Sequence, residues 1–220
     1  MIWVFGDSWA EGYGLKEGEK RFSDFLSDHY QTEVTNLGMS ASSMGHIAAE
    51  IFKNSDKFKY SDVLIAIIPP DTRWYNIDSN YNVSSIFNGM PEYEKVLELF
   101  DTQQWFTYHH SLFIYSICQL AKQKGLAYLL AHNYGKIEIA PFFEPLINNN
   151  VFLSRDKSLV HHLLGEEGWK NNLEINVNNV MKKIEGEYFI PNDNHPNESG
   201  HKFIADLIIE RFKRVHSPSE

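Results

Sequence analysis

The chain reads as an α/β protein: a parallel sheet covered on both faces by helices, three layers in all. Three observations lead there. Ile2-Trp3-Val4-Phe5 and Asp62-Val63-Leu64-Ile65-Ala66-Ile67-Ile68 contain continuous apolar runs, the mark of strands buried on both faces. Each run stops at a turn-forming cluster, Gly6-Asp7-Ser8 in one case and Pro69-Pro70 in the other. Helical periodicity fills the intervals between such runs.

The elements follow in order. After the first strand and its Gly-Asp-Ser turn, Phe22, Phe25 and Leu26 recur at helical spacing within 19–30. Val34-Thr35-Asn36-Leu37 is a second short strand, running into the small-residue loop from Gly38 to Gly45. Ser42 or Ser43 there can cap a helix from His46 to Asn54. The strand at 62–68 comes next, followed by a long loop over 69–91. A mostly helical stretch runs from Pro91 to Lys124, broken near Thr102. Ala127-Tyr128-Leu129-Leu130-Ala131 is a fourth strand, and 134–169 reads as irregular, with short helical pieces at most. A helix is expected from Trp169 to Lys183, a fifth short strand at Tyr188-Phe189-Ile190, and a final helix from Lys202 to Phe212 with Phe203, Ile204, Leu207 and Ile208 on one face. The expected sheet therefore has about five strands.

The whole chain, 1–220, is expected to be one domain, since no linker or repeat divides its 220 residues. With 43% hydrophobic and 22% charged residues it can bury an ordinary core. The net charge of -9, with no clustering of Lys and Arg, argues against a nucleic-acid partner. No apolar run is long enough for a membrane span and no signal peptide opens the sequence, so the cytoplasm is the expected location, with no positive signal for any compartment. Cys118 is the single cysteine; it lies in an apolar helical run and is expected to be a buried structural thiol, compatible with a reducing compartment.

The chemistry concentrates at the expected carboxyl edge of the sheet, where open α/β sheets hold ligands. Ser8 stands at the end of the first strand. At the other end of the chain, Asn192-Asp193-Asn194-His195-Pro196-Asn197 places a histidine in a turn before the last helix, with an aspartate two residues earlier. Pro196 fixes the backbone there, and Asn197 suits the cap of the helix that follows. A serine, a histidine and a carboxylate are the components of nucleophilic acyl transfer.

Phe5-Gly6-Asp7-Ser8, Asn36-Leu37-Gly38-Met39-Ser40 and Asp193-Asn194-His195-Pro196-Asn197, in this order, resemble the blocks of the SGNH hydrolases, the GDSL esterase/lipase family. The resemblance implies a flavodoxin-like sandwich and a serine esterase acting on small-molecule or carbohydrate esters without cofactor or metal. It implies Ser8 as nucleophile, His195 as base, Asp193 as its orienting acid, and the amides of Ser8 and Gly38 as oxyanion donors, with glycine at 38 so that substrate can approach closely. An O-acyltransferase, or a non-catalytic binding module on the same fold, would carry similar residues. Ser40, Ser42 and Ser43 read as turn or cap residues. The sequence departs from the family pattern twice. The third block lacks its asparagine: Pro69-Pro70-Asp71-Thr72-Arg73 stands there, where an ionised Asp71 would repel an oxyanion and Thr72 or Arg73 could donate to it or to substrate. The acid block has Asp-x-His in place of Asp-x-x-His, and the choice of Asp193 over Asn192 rests on the need for an anion beside an imidazolium. Trp74, Tyr75, Tyr81 and Phe87 are expected to line an acyl or sugar cleft, or else to pin the loop to the body. The pairs His109-His110 and His161-His162 are expected to be surface histidines, since adjacent helical residues point apart and make a poor metal site.

Overall fold

The computed structural model describes residues 1–70, 74–77, 83–86, 102–171 and 186–216. Four strands form a parallel sheet: β1 (Ile2–Gly6), β2 (Val34–Gly38), β3 (Val63–Ile68) and, later in the chain, β6 (Ala127–His132), in the spatial order β2-β1-β3-β6. The register sets Phe5 beside Leu37 and Ala66, and Ile68 beside His132, so the strand ends share one edge. Six helices are described. These are α1 (Ser8–Glu11), α2 (Phe22–Tyr30), α3 (Met44–Lys53), α4 (Thr102–Lys124), α5 (Leu159–Asn171) and α6 (Glu198–His216).

Alternation along the strands divides the core in two. Trp3, Phe5, Leu64, Ala66, Ile68 and Leu130 face one cluster with residues of α3 and α4. Ile2, Val4, Ile65, Ile67, Leu129 and Ala131 face the other, with residues of α1, α2, α5 and α6. A sheet buried on both faces needs apolar residues at every position, which is why these strands read as unbroken runs. This is the three-layer α/β architecture expected.

Four elements differ from expectation. Among the described residues the sheet has four strands, not about five: Tyr188-Phe189-Ile190 makes only an isolated antiparallel bridge, Phe189 to Pro196. Those residues spend their hydrogen-bonding groups on the His195 turn instead. The expected loop 69–91 contains a hairpin of β4 (Trp74–Ile77) and β5 (Val83–Ile86), whose antiparallel register pairs Trp74 with Ile86 and Ile77 with Val83. Aromatic and β-branched residues at the strand ends were masked in the sequence by the Asn and Ser around them. Within 134–169, expected to be irregular with short helical pieces at most, α5 begins at Leu159, with Ser158 Oγ accepting from the His161 amide (3.2 Å). Leu159, Val160 and Leu163 are buried. The adjacent histidines and Gly165, at φ 67° and ψ 176°, hide this helix from a periodicity reading. The remainder of the expected 169–183 helix lies outside the described residues, as does the 91–101 portion of the 91–124 helix. Ser43, one of the two candidate caps, starts α3 by accepting from the His46 amide (3.2 Å).

No helix among the described residues is long and apolar enough to cross a membrane. Cys118 is buried in α4, and burial pushes its thiol up to about 12.

Candidate active site

The first half of the site is the β1–α1 turn. Asp7 caps α1, its Oδ1 accepting from the Trp9 amide at 3.1 Å, so Ser8 becomes the first helical residue at the edge of the sheet. Oδ2 of the same carboxylate accepts from Asn133 Nδ2 at 2.7 Å. Both residues are fully buried. That bond ties the turn after β6 to the turn after β1, across the end of β3, and holds the Ser8 turn from below. Glycine at 6 is required by close approach: a Cβ there would lie 2.7 Å from Ala10 Cβ and 2.9 Å from Ile67 Cβ.

The second half is the turn leading to α6. Ile190 donates its amide to the His195 carbonyl (2.9 Å), Asp193 to Ile190 (3.0 Å) and Asn197 to Tyr188 (2.9 Å). Asn192 takes the left-handed conformation at φ 62°, which turns the chain sharply enough for Asp193 to curl back on His195. Asn197 Oδ1 accepts from the Gly200 amide at 3.0 Å, opening α6. Tyr134 braces the turn from outside, donating its hydroxyl to the Asn194 carbonyl at 3.0 Å.

These halves bring three side chains from opposite ends of the chain into line. His195 Nε2 lies 2.8 Å from Ser8 Oγ, and His195 Nδ1 lies 2.5 Å from Asp193 Oδ1. The His195 amide also donates to Asp193 Oδ1 at 3.1 Å. Partial burial works to raise the Asp193 carboxyl, but the His195 ring and the amides of Asn194 and His195 outweigh it and hold the group below the usual carboxylate range. With an ionised carboxylate at Nδ1, the ring keeps its proton there and presents a bare Nε2 to the serine hydroxyl. Ser8 is 6% exposed, and the ring of Tyr13 lies against His195 at 4.9 Å between centroids.

On the expected oxyanion side, Gly38 has partners within the fold. The Gly38 amide donates to Asn36 Oδ1 at 2.9 Å, so this donor is committed to a neighbouring side chain. Close approach of α1 requires glycine here: a Cβ would meet Glu11 N at 2.5 Å and the Ala10 carbonyl carbon at 2.6 Å. Asn36 is itself anchored to α1 and α2, donating Nδ2 to the Ala10 carbonyl (2.6 Å) and to Ser23 Oγ (2.9 Å). Three residues after Gly38, Ala41 adopts φ 62°, and its amide finds no acceptor among the described residues. Ser40 donates its amide to Glu11 Oε2 at 2.7 Å, and its hydroxyl bonds the same oxygen. Ser42 donates to the Met39 carbonyl (2.7 Å) and contacts His46 Nδ1 (3.2 Å). None of these serines touches His195.

Asp71, Thr72, Arg73, Tyr81 and Phe87 lie outside the described residues. Trp74 and Tyr75 are placed by their backbone in β4. The histidine pairs are not surface groups: His110 and His161 are buried, and His109 and His162 half-buried, because α4 and α5 pack against the body over these turns. Among the described residues no group of three or more His, Cys, Asp and Glu is placed to hold a metal ion.

Sequence reasoning missed three residues that build the site: Tyr13 against His195, Asn133 on Asp7 and Tyr134 on the Asn194 carbonyl; it also missed the core role of His201. His201 is fully buried, accepts from the Phe22 amide at Nδ1 (3.3 Å), and is lowered by burial to about 4. A polar residue just after a strand that ends at the carboxyl edge of the sheet was the available signal for Asn133; the others carry no local signal.

The fold is that of the SGNH hydrolases. Similar solved structures include a protein assigned to the G-D-S-L lipolytic family from Desulfitobacterium hafniense DCB-2, with TM-score 0.57 and 12% identity over 96% of this chain and 98% of that one. A member of the lipolytic protein G-D-S-L family from Veillonella parvula DSM 2008 has TM-score 0.51 and 13% identity, over 97% and 98% of the two chains. A Bacillus subtilis protein has TM-score 0.54 and 15% identity, over all of this chain and 58% of its own. No family model matches the sequence, and no curated protein does.

Proposed function

We propose that the protein is a serine esterase of the SGNH type, cleaving small acyl or carbohydrate-borne esters through an acyl-enzyme on Ser8. The observation that carries this reading is the unbroken relay from Asp193 through His195 to Ser8, at 2.5 and 2.8 Å. The SGNH fold, shared with proteins described as lipolytic, agrees with it.

The chemistry follows from the relay. Ser8 Oγ attacks the ester carbonyl carbon as its proton passes to His195 Nε2, and Asp193 stabilises the imidazolium. The tetrahedral oxyanion collapses as the alcohol leaves with the proton from Nε2. Water then repeats the sequence, releasing the acid and restoring Ser8. The developing oxyanion is met by the Ser8 amide, at the start of α1, and by the amide of Ala41, which takes over the part expected of Gly38. No step calls for a metal or an organic cofactor.

The test is a panel of p-nitrophenyl esters from acetyl to palmitoyl, with wild type and Ser8→Ala. The expected result is turnover that falls by roughly three or more orders of magnitude in the variant. A fluorophosphonate probe is expected to label one serine, mapping to Ser8. Labelling at Ser40 or Ser42, or the absence of Ser8-dependent turnover on every ester, would overturn the reading.

A further inference from the structure

We propose that Glu11 is a positioning residue for catalysis: through Ser40 it holds the 39–42 loop in the conformation that presents the Ala41 amide to the reacting carbonyl. The inference rests on the reading of Ser8 as the nucleophile.

The loop has to keep an unfavourable shape. Ala41 sits at φ 62°, a left-handed conformation that a residue with a Cβ does not favour by itself. Such a conformation persists where the surroundings over-determine it. Three ties do so. The Met39 amide donates to the Gly6 carbonyl at 3.0 Å and fixes the loop's entry to β1. Ser42 closes the loop on itself, its amide and hydroxyl both directed at the Met39 carbonyl (3.2 and 2.7 Å). Glu11 Oε2 takes both donors of Ser40, the residue immediately before Ala41. Of the three, the Glu11 tie alone joins the loop to α1.

That helix is what gives the tie its consequence. Ser8 is the first residue of α1 and Glu11 the last, one helical turn apart. Nucleophile and loop are therefore carried by one rigid turn. The Ser40 peptide, drawn toward the carboxylate, sets the plane of the neighbouring peptide that carries the Ala41 N–H. Glu11 touches neither Ser8 Oγ nor His195, so its effect is on the aim of a donor. Oxyanion donors act through preorganisation, and a loop free to re-aim its amide loses part of that advantage.

The experiment compares Glu11→Ala, Glu11→Gln and Ser40→Ala with wild type in three readouts: kcat and KM on one good ester, the rate of fluorophosphonate labelling at Ser8, and amide hydrogen exchange of the 39–43 segment. Because the tie is solvent-exposed, Glu11→Ala is expected to lower kcat and the labelling rate by about 5- to 30-fold with KM unchanged, and to speed exchange in 39–43. Glu11→Gln keeps an acceptor oxygen for the Ser40 amide and is expected to stay within about threefold of wild type. Ser40→Ala keeps the amide bond and is expected to fall between the two. Faster exchange in Glu11→Ala with kcat and labelling unchanged would overturn the proposal, as would a Gln variant as impaired as the Ala variant. A wild type without Ser8-dependent turnover or labelling would overturn the esterase reading itself, a result distinct from an active wild type indifferent to Glu11.

Discussion

His195 and His201 lie six residues apart, on the same turn and first helical stretch, and their surroundings give them opposite tasks. His195 is partly open to solvent, with both ring nitrogens engaged, one by Asp193 and one by Ser8. His201 is sealed in the core, its ring stacked on Phe22 (17° between planes) with Nδ1 accepting from the Phe22 amide. Burial lowers it to about 4, and it stays neutral at physiological pH. A histidine placed beside a carboxylate can cycle a proton; one enclosed by apolar side chains cannot take a charge without loss of stability. The identity of the residue therefore says little until its neighbours are known.

The largest expected effect separates the two directly. His195→Ala is expected to lower kcat by roughly a thousandfold or more while leaving the unfolding free energy within about 1 kcal/mol of wild type. His201→Ala is expected to do the reverse. It opens a cavity and leaves the Phe22 amide without its acceptor, costing about 2–4 kcal/mol in stability, with kcat per folded molecule changed by less than about threefold. Urea unfolding and ester hydrolysis on the same preparations check both.

Next in size is the anion beside His195. Asp193→Asn is expected to cost about ten- to ten-thousandfold in kcat, the lower figure applying if solvent screens the pair, since Asp193 is a third exposed. Asn192→Ala is expected to cost under about tenfold, through the loss of a residue suited to φ 62°. A damaging Asn192→Ala beside a nearly silent Asp193→Asn would replace the triad with a dyad assisted by an amide.

Acid should then act on the buried histidines. His132 and His201 are each lowered by burial to about 4 in the folded protein, from the 6.5 of a free histidine. The unfolded chain takes up these protons first. Stability is therefore full above about pH 6.5, falls as pH drops, and levels off near pH 4. Each group contributes about 3 kcal/mol to the loss. Denaturant titrations from pH 7.5 to 4.5 are expected to show this fall, and His201→Phe, where it folds, to reduce its slope. A flat profile would mean that these rings are not held neutral by burial.

The smallest effect concerns Cys118. With its thiol raised to about 12 by burial, it is expected to react with a thiol-specific disulfide reagent only at the rate of unfolding, and Cys118→Ala is expected to leave kcat unchanged. Rapid modification of the native protein would contradict the packing of α4.

The sequence by itself determined what local pattern can carry. Unbroken apolar runs marked β1, β3 and β6 because strands buried on both faces have no polar positions. The Gly-Asp-Ser turn and the Asp-x-His-Pro-Asn turn were legible because each closes an element with residues whose backbone preferences are strong. Tertiary structure decided the rest, where the deciding partner lies far away in the chain. Gly38 looked like an open approach to substrate, but its missing Cβ makes room for the backbone of α1, and its amide goes to Asn36. Asn133 reaches Asp7 across 126 positions, and Phe22 reaches His201 across 179. Burial of the His109-His110 and His161-His162 pairs, and the neutrality of His132 and His201, depend on which helix face meets the body. Periodicity broken by polar residues does not reveal that. A hydrogen bond between distant residues leaves no trace in either local segment, because each donor and acceptor looks equally ready for water until the fold removes it.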